Sequence, residues 1–374
     1  MKFRTEIIKI IEGGLERNKD KVKNYAMLLG QKLRDEGDEK FAERIVQIIN
    51  NKSVHPVYMD EFMSKPLDQD SKLDMVDVLT SSEIKQDKII LSENTWKKID
   101  NFILSIEHKS EFIDLGVSLP DTLLLYGHPG CGKTSIAEYV ASRVELPLVT
   151  AKLDGLVSSL LGSTAKNIRK IFDYAKERPC ILFLDEFDAI AKARNDVHEV
   201  GELKRVVNSL IQNIDDFSKN NILIAATNHE TLLDPAVWRR FSFVVEVPKP
   251  CDKEIIKLIK LFLGPFNYEF LNEARKSQIL IGLLNGLSPS IIKNICYNAV
   301  KAMVINKESM VSFARIVSEI YYYIGIKDIP LPKFLSNNGV SQQEISKVMG
   351  ISLRQVRNHL CEGALKNERQ TTSD

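Results

Sequence analysis

Gly127-His128-Pro129-Gly130-Cys131-Gly132-Lys133-Thr134 is the stretch on which the reading of the chain turns. It satisfies G-x-x-x-x-G-K-[ST] without a mismatch. Its flanks agree with it: Thr122–Tyr126 reads as a buried strand, and Ser135–Arg143 reads as a helix. Glycines at these positions let the backbone wrap so that successive N–H groups point inward at phosphate oxygens. The next helix, opened by Ser135, adds the positive end of its dipole. Lys133 is placed to bridge the β- and γ-phosphates of a nucleotide, and the Thr134 hydroxyl to face Mg²⁺. A chance glycine-rich turn is the alternative, and strand, loop and helix in this order speak against it. Cys131 has two readings: a redox-sensitive thiol shielded by nucleotide, or a small side chain that fits between glycines.

Two other strand ends belong with this loop. Ile181-Leu-Phe-Leu-Asp185-Glu186 is an apolar run ending in two carboxylates. In an open parallel sheet, ligands sit beyond the carboxyl ends of the strands, so both acids arrive where the loop does. Asp185 is the residue to hold Mg²⁺ through its water shell, and Glu186 to act as general base on the attacking water. Read alone, the pair could equally be a capped helix start. Ile222-Leu-Ile-Ala-Ala-Thr-Asn228 ends in an amide that can orient the same water, or form a turn.

Working outward, short apolar runs at Leu123–Tyr126, Leu148–Val149, Ile181–Leu184, Ile222–Ala226 and Phe243–Val247 alternate with amphipathic stretches long enough for crossover helices. That alternation predicts an α/β fold with a parallel sheet covered on both faces. Residues 1–52 carry helical stripes such as Ile7, Ile8 and Ile11, broken near Gly13–Gly14 and Gly37. They read as a three-helix adaptor, or as a packing ornament on the neighbouring domain. Residues 53–90, interrupted by Pro56 and Pro66, read as a linker. The nucleotide-binding core then spans 91–250, an all-helical region 251–330, and a tail 331–374.

These motifs together resemble the AAA+ ATPases. Gly127–Thr134, Leu182–Asp188, Ala225–Asn228 and Leu233-Asp-Pro-Ala-Val-Trp-Arg239-Arg240-Phe241 come one after another in the order of that family, the last segment resembling the second region of homology of the classical AAA clade. The first two are its Walker A and Walker B segments. The resemblance implies a five-stranded αβα core, a helical lid at 251–330, and a ring, usually a hexamer, with Mg·ATP at each subunit junction. It also implies an arginine finger reaching the neighbour's γ-phosphate. Arg239 and Arg240 match the family's two arginines, but here they are adjacent, and either could be the finger. A pore loop that grips protein is expected at Leu160, Leu161 and Gly162, with leucine where the family has an aromatic. Gly286-Leu-Ser-Pro-Ser290 loosely matches a lid segment near the adenine. The layout is similar to short bacterial single-ring AAA proteins, some associated with subtilisin-like proteases or defence loci.

The tail supports a different class of function. Val340–Leu360 reads as a helix-turn-helix, with Ile345, Val348 and Met349 on one face, Gly350 in the turn and Ser352 capping a second helix. Arg354, Arg357 and Asn358 are suitable for phosphates and base edges of DNA. Phe334–Asn337 is the only candidate for part of a third helix. A helical hairpin that binds protein is the alternative. Three functions therefore stand open: a ring that remodels a protein partner, a nucleotide-switched DNA-binding regulator, and a scaffold whose ATP site sets assembly.

Composition sets the frame. The 374 residues are 44% hydrophobic and 27% charged, which suits two or three folded units. A net charge of +1 argues against bulk polyanion binding without excluding a local basic site. No apolar run approaches the ~20 residues of a membrane span. Five scattered cysteines without a CxxC pair indicate a reduced, cytoplasmic protein with no structural zinc.

Overall fold

The computed structural model describes residues 4–15, 19–35, 39–50, 65–66, 74–84, 88–117, 120–153, 161–189, 200–218 and 221–370. The chain divides into two compact units, Met1–Ser64 and Lys65–Asp374. In the first, α1 (Arg4–Leu15) packs on α2 (Lys19–Asp35), and α2 on α3 (Glu39–Asn50). At Gly30 of α2 a Cβ would meet Ala42 O, Ile45 and Val46 of α3 at 3.7 Å, an ordinary packing distance. Ile7, Ile8, Ile11 and Phe41 remain exposed, so the apolar stripes legible in the sequence are not all used as core.

The second unit is built on a six-stranded sheet. In chain order its elements are β1 (Val76–Leu79), α4 (Glu93–Glu107), α5 (Lys109–Asp114), β2 (Thr122–Tyr126), α6 (Lys133–Arg143), β3 (Leu148–Ala151), α7 (Leu161–Lys176), β4 (Ile181–Leu184), α8 (Val200–Phe217), β5 (Ile222–Thr227), α9 (Pro235–Trp238) and β6 (Phe243–Glu246). The spatial order is β1-β3-β4-β5-β2-β6. Five strands, β2 to β6, are mutually parallel, as the alternation of runs and helices predicts. The sixth, β1, runs antiparallel on the edge beside β3 and comes from the stretch read as linker. Four residues with one charge among them are too short a pattern to announce a strand. Their partner edge supplies what local sequence does not.

Successive strand residues face opposite ways, and both faces are covered. Leu123 and Leu125 join Ile99, Phe102 and Ile103 of α4 and Ile136 and Val140 of α6. Across the sheet, α7 packs on α8, with the rings of Phe172 and Phe217 edge to face at 5.5 Å. Sealing a parallel sheet this way leaves only its strand ends free for ligands.

Beyond the sheet the chain is helical: α10 (Asp252–Leu263), α11 (Ala274–Leu284), α12 (Pro289–Ile305), α13 (Phe313–Ile324), α14 (Leu331–Asn337), α15 (Gln342–Met349) and α16 (Leu353–Gln370). One buried cluster runs through all of them, from Ile255 and Leu258 to Phe334, Leu335, Ile345 and Val356. The helices after residue 331 therefore share a core with α10 to α13. The sequence offers only Phe334–Asn337 toward a third tail helix, whereas α14 is a full helix beginning at Leu331, with Pro332 in its first turn.

Candidate functional site

Strand register explains why the motif residues meet. Tyr126 of β2 pairs with Thr227 of β5, and Leu184 of β4 pairs with Ala225. The three strands thus release their chains side by side, and the next residues are Gly127, Asn228 and Asp185. The loop after β2 turns through Gly127 (φ 142), Gly130 (φ 75) and Gly132 (φ 99), angles that side-chain-bearing residues rarely adopt. At Gly127 a Cβ would lie 2.3 Å from Val247 O, a backbone atom that cannot swing away. Gly127→Ala is expected to lose about 3 kcal/mol of stability and to abolish binding of a fluorescent ATP analogue. A melting curve and a titration would check this; a variant with normal melting and binding would contradict the close-approach argument.

Lys133 sits buried at the start of α6 and donates to Gly127 O (2.8 Å), His128 O (3.0 Å) and Asn228 Oδ1 (2.7 Å). All three ammonium hydrogens are thereby used, with the amine held over the hollow of the loop. Burial pushes its pKa below the usual lysine range, an effect opposed by nearby Cys131, Asp185 and Asp188. Thr134 Oγ1 donates to Asp185 Oδ2 at 3.0 Å, and the Glu186 N–H donates to Asp185 Oδ1 at 2.9 Å. Glu186 itself is exposed and sits at φ 49, a strained backbone for a residue with a side chain.

A hydroxyl and a carboxylate converging from two elements suit Mg²⁺. That ion keeps several waters and binds through few protein oxygens plus substrate phosphates. No group of three or more His, Cys, Asp or Glu able to cage a metal occurs among the described residues. Thr134 and Asp185 are the pair that could hold it.

The loop opens on a cleft of about 690 Å³ lined by Pro129 to Ser135, Asp185, Glu186 and Asn228 at its polar end. Its remaining lining has no counterpart in the sequence motifs: apolar Ile89 and Ile90 ahead of α4, Leu258, Leu261 and Phe262 of α10 and Tyr297 of α12, together with Lys88, Ser290 and Lys293. Such residues have no spacing signature of their own. The start of α12 also touches the loop directly, because the Ser290 N–H donates to Gly130 O at 3.1 Å. The contact is tight, since a Cβ on Gly130 would come within 2.9 Å of both Ser288 Oγ and Ser290 Cβ. A second unforeseen participant is Asp188, buried behind the site, whose Oδ1 accepts from Thr227 Oγ1 and the Asn228 N–H, each at 3.3 Å. It fixes the end of β5 and hence the Asn228 amide that meets Lys133.

Cys131 is buried, and burial raises its thiol pKa despite two nearby lysines. Cys180 and Cys296 are pushed up to about 12 for the same reason, whereas Cys251 and Cys361 are exposed. A raised pKa leaves little thiolate, so the redox reading of Cys131 loses its chemistry. Iodoacetamide at pH 8 should give two early adducts by mass spectrometry, at Cys251 and Cys361, and label the rest only after denaturation. Early labelling of Cys131 would contradict this.

Arg239 and Arg240 come after α9 and do not line the cleft. Asp234 caps that helix through the Ala236 N–H at 2.7 Å. Arg240 is latched within its own subunit: its guanidinium donates to both carboxylate oxygens of Asp215 on α8 (3.1–3.4 Å) and to Ala236 O (2.9 Å). Arg239 is exposed, and among the described residues its side chain has no hydrogen bond or ion pair. Leu160 lies outside the described residues, and Leu161 and Gly162 open α7. Arg354, Arg357 and Asn358 are exposed on α16, outside the cleft.

Comparison with known proteins agrees with this geometry. Residues 123–249 match the family described as "ATPase family associated with various cellular activities (AAA)". The AAA family ATPase y4kL of Sinorhizobium fredii is 40% identical over 229 residues, which is 61% of this chain and 68% of y4kL. The chain is an AAA family ATPase. Proteasome-activating nucleotidases are also similar to it. Those of Saccharolobus solfataricus and Thermococcus onnurineus are each 34% identical over 203 residues, 52% of this chain. The AAA ATPase spans about half their length, 51% and 50% respectively. No described helix is long and apolar enough to cross a membrane.

Proposed function

We propose that this AAA ATPase works as a ring, a hexamer by family analogy, that hydrolyses Mg·ATP to remodel one dedicated protein partner. The observation that carries the reading is the convergence of Lys133, Thr134, Asp185, Glu186 and Asn228 at three neighbouring strand ends, while exposed Arg239 lies away from them and has no side-chain bond among the described residues. In this reading the backbone of Gly127–Thr134 holds the phosphates, and Lys133 exchanges its carbonyl and amide partners for β- and γ-oxygens. The apolar residues that line the cleft take the base. Mg²⁺, when bound beside Thr134 and Asp185, supplies positive charge to the phosphate oxygens.

Glu186 accepts a proton from the attacking water as the water oxygen bonds to the γ-phosphorus and the bridging P–O bond to ADP breaks. Asn228 orients that water. The charge building on the transferring group is offset by a guanidinium from the next subunit, assigned to Arg239 because Arg240 is already committed to Asp215. Hydrolysis then requires assembly. Movement of Leu160, Leu161 and Gly162 would carry the work to a partner, with leucine offering less contact area than an aromatic. Relatives named for activating a proteasome support a partner connected with proteolysis, a class that includes the subtilisin-like enzymes. Turnover per subunit, measured against protein concentration with mass determined in parallel, is expected to rise with assembly. Full turnover from a monomer would overturn the ring reading.

A further inference from the structure

The helices that end the chain form a second built surface, with a chemistry unlike that of the cleft. The buried residues Phe334 and Leu335 of α14, Ile345 of α15 and Val356 of α16 make a three-helix packing. The α15–turn–α16 pair is closed at each boundary by its own sequence. Ser341 and Glu344 form a reciprocal capping box at the start of α15. Gly350, at φ 66, ends α15 in the left-handed conformation, and the Ile351 N–H turns back to Ser346 O at 3.2 Å. Ser352 and Gln355 then cap α16 reciprocally: Ser352 Oγ accepts from the Gln355 N–H at 3.3 Å, and Gln355 Oε1 from the Ser352 N–H at 2.9 Å. A three-residue turn with these stops fixes the direction in which α16 leaves.

That direction decides which side chains face outward. Val356 is buried and Leu360 packs against the same cluster, so the 356/360 side of α16 points into the core. Arg354 and Asn358, spaced i, i+4, lie on the opposite, exposed side beside Gln355, with exposed Arg357 and His359 at its margins. Leu353 is the one large apolar residue exposed within Leu353–Cys361, the part of α16 whose side chains are described. Across Ser341–Cys361 a single carboxylate, Glu344, stands against Lys347, Arg354 and Arg357, although the whole chain is nearly neutral. Arg357 is also pre-oriented, its Nε donating to Gln342 Oε1 on α15 at 3.3 Å.

We propose that α16 reads the major groove of duplex DNA, with α15 against the backbone. Two arginines and an asparagine in the first two turns are side chains whose donor and acceptor groups match guanine and adenine edges, while Gln355 stays engaged in the cap. A face for a protein helix would present apolar anchors instead, and this one carries guanidinium and amide groups. Because α14–α16 share their core with α10 to α13, DNA would be held by the helical region that also touches the phosphate loop through Ser290. The DNA contact itself does not depend on the proposed ring mechanism.

The test is fluorescence anisotropy of the full chain with a labelled duplex of about 30 base pairs, in 50 to 200 mM KCl. A second protein carries Arg354→Glu and Arg357→Glu, exposed changes whose folding is checked by melting temperature. The expected result is binding that weakens at least about tenfold over that salt range, as for two to three phosphate contacts per subunit. The charge-reversed protein should lose binding while melting normally. Absence of binding at 50 mM KCl would overturn the proposal. So would binding that survives the double reversal, which would put the contact elsewhere. A protein partner captured by the wild type and lost with the double reversal, while duplex is ignored, would assign the face to protein and likewise overturn it.

Discussion

Glu186→Gln is expected to lower kcat by about 10³-fold while leaving ATP affinity within a few-fold of the unsubstituted protein. The amide keeps the size and the exposed position of the carboxylate but has no basic oxygen to take the proton of the attacking water. Binding is retained because the groups that would hold the phosphates are others: the loop backbone, Lys133 and Thr134. The strained backbone at φ 49 is unchanged by the swap, so stability should move by less than about 0.5 kcal/mol. Steady-state turnover, nucleotide titration and a melting curve separate these terms. A variant that still turns over at a tenth of the normal rate or faster would remove Glu186 from the role of base.

The second large effect is a split between neighbouring arginines. Arg239→Ala is expected to reduce turnover by about 10³-fold or more, the scale at which a trans guanidinium acts on a transferring phosphoryl group. Its melting temperature should not change, since among the described residues the side chain makes no bond in its own subunit. Arg240→Ala should do the reverse in kind: turnover falls less than tenfold, while α9 loses its latch to Asp215. That ion pair is about half exposed on the carboxylate side, so its removal costs only about 1 kcal/mol. Equal loss of turnover in both variants would mean that Arg240 leaves Asp215 in the assembled state.

The difference between these two residues marks where sequence reasoning reaches its limit. Lys133, Thr134, Asp185, Glu186 and Asn228 are legible because each sits at a set distance from the end of an apolar strand run, and a parallel sheet brings such ends together whatever the rest of the chain does. That Arg240 is committed depends on Asp215, 25 positions away on another helix, and no local pattern carries that pairing. Asp188 stands at the end of a motif, but its hold on Thr227 and Asn228 emerges only from the register of β4 and β5. Ile89, Ile90 and the apolar cleft residues of α10 and α12 are ordinary residues that acquire meaning only through the fold. The edge strand β1 is invisible for a related reason, because its stability lies in the partner strand. The turn and caps of α15 and α16, by contrast, are written locally in Ser341, Glu344, Gly350 and Ser352.

Completion of each ATP site by a neighbouring subunit predicts that two inactive proteins, once mixed, regain activity. Glu186→Gln and Arg239→Ala subunits would be co-assembled in equal amounts and turnover measured against each alone. If the base and the finger come from different subunits, about a quarter of the junctions pair an intact Glu186 with an intact Arg239, and turnover returns toward that fraction of the unsubstituted rate. If both residues act within one chain, no mixed junction is whole, and the mixture stays as inactive as its parts.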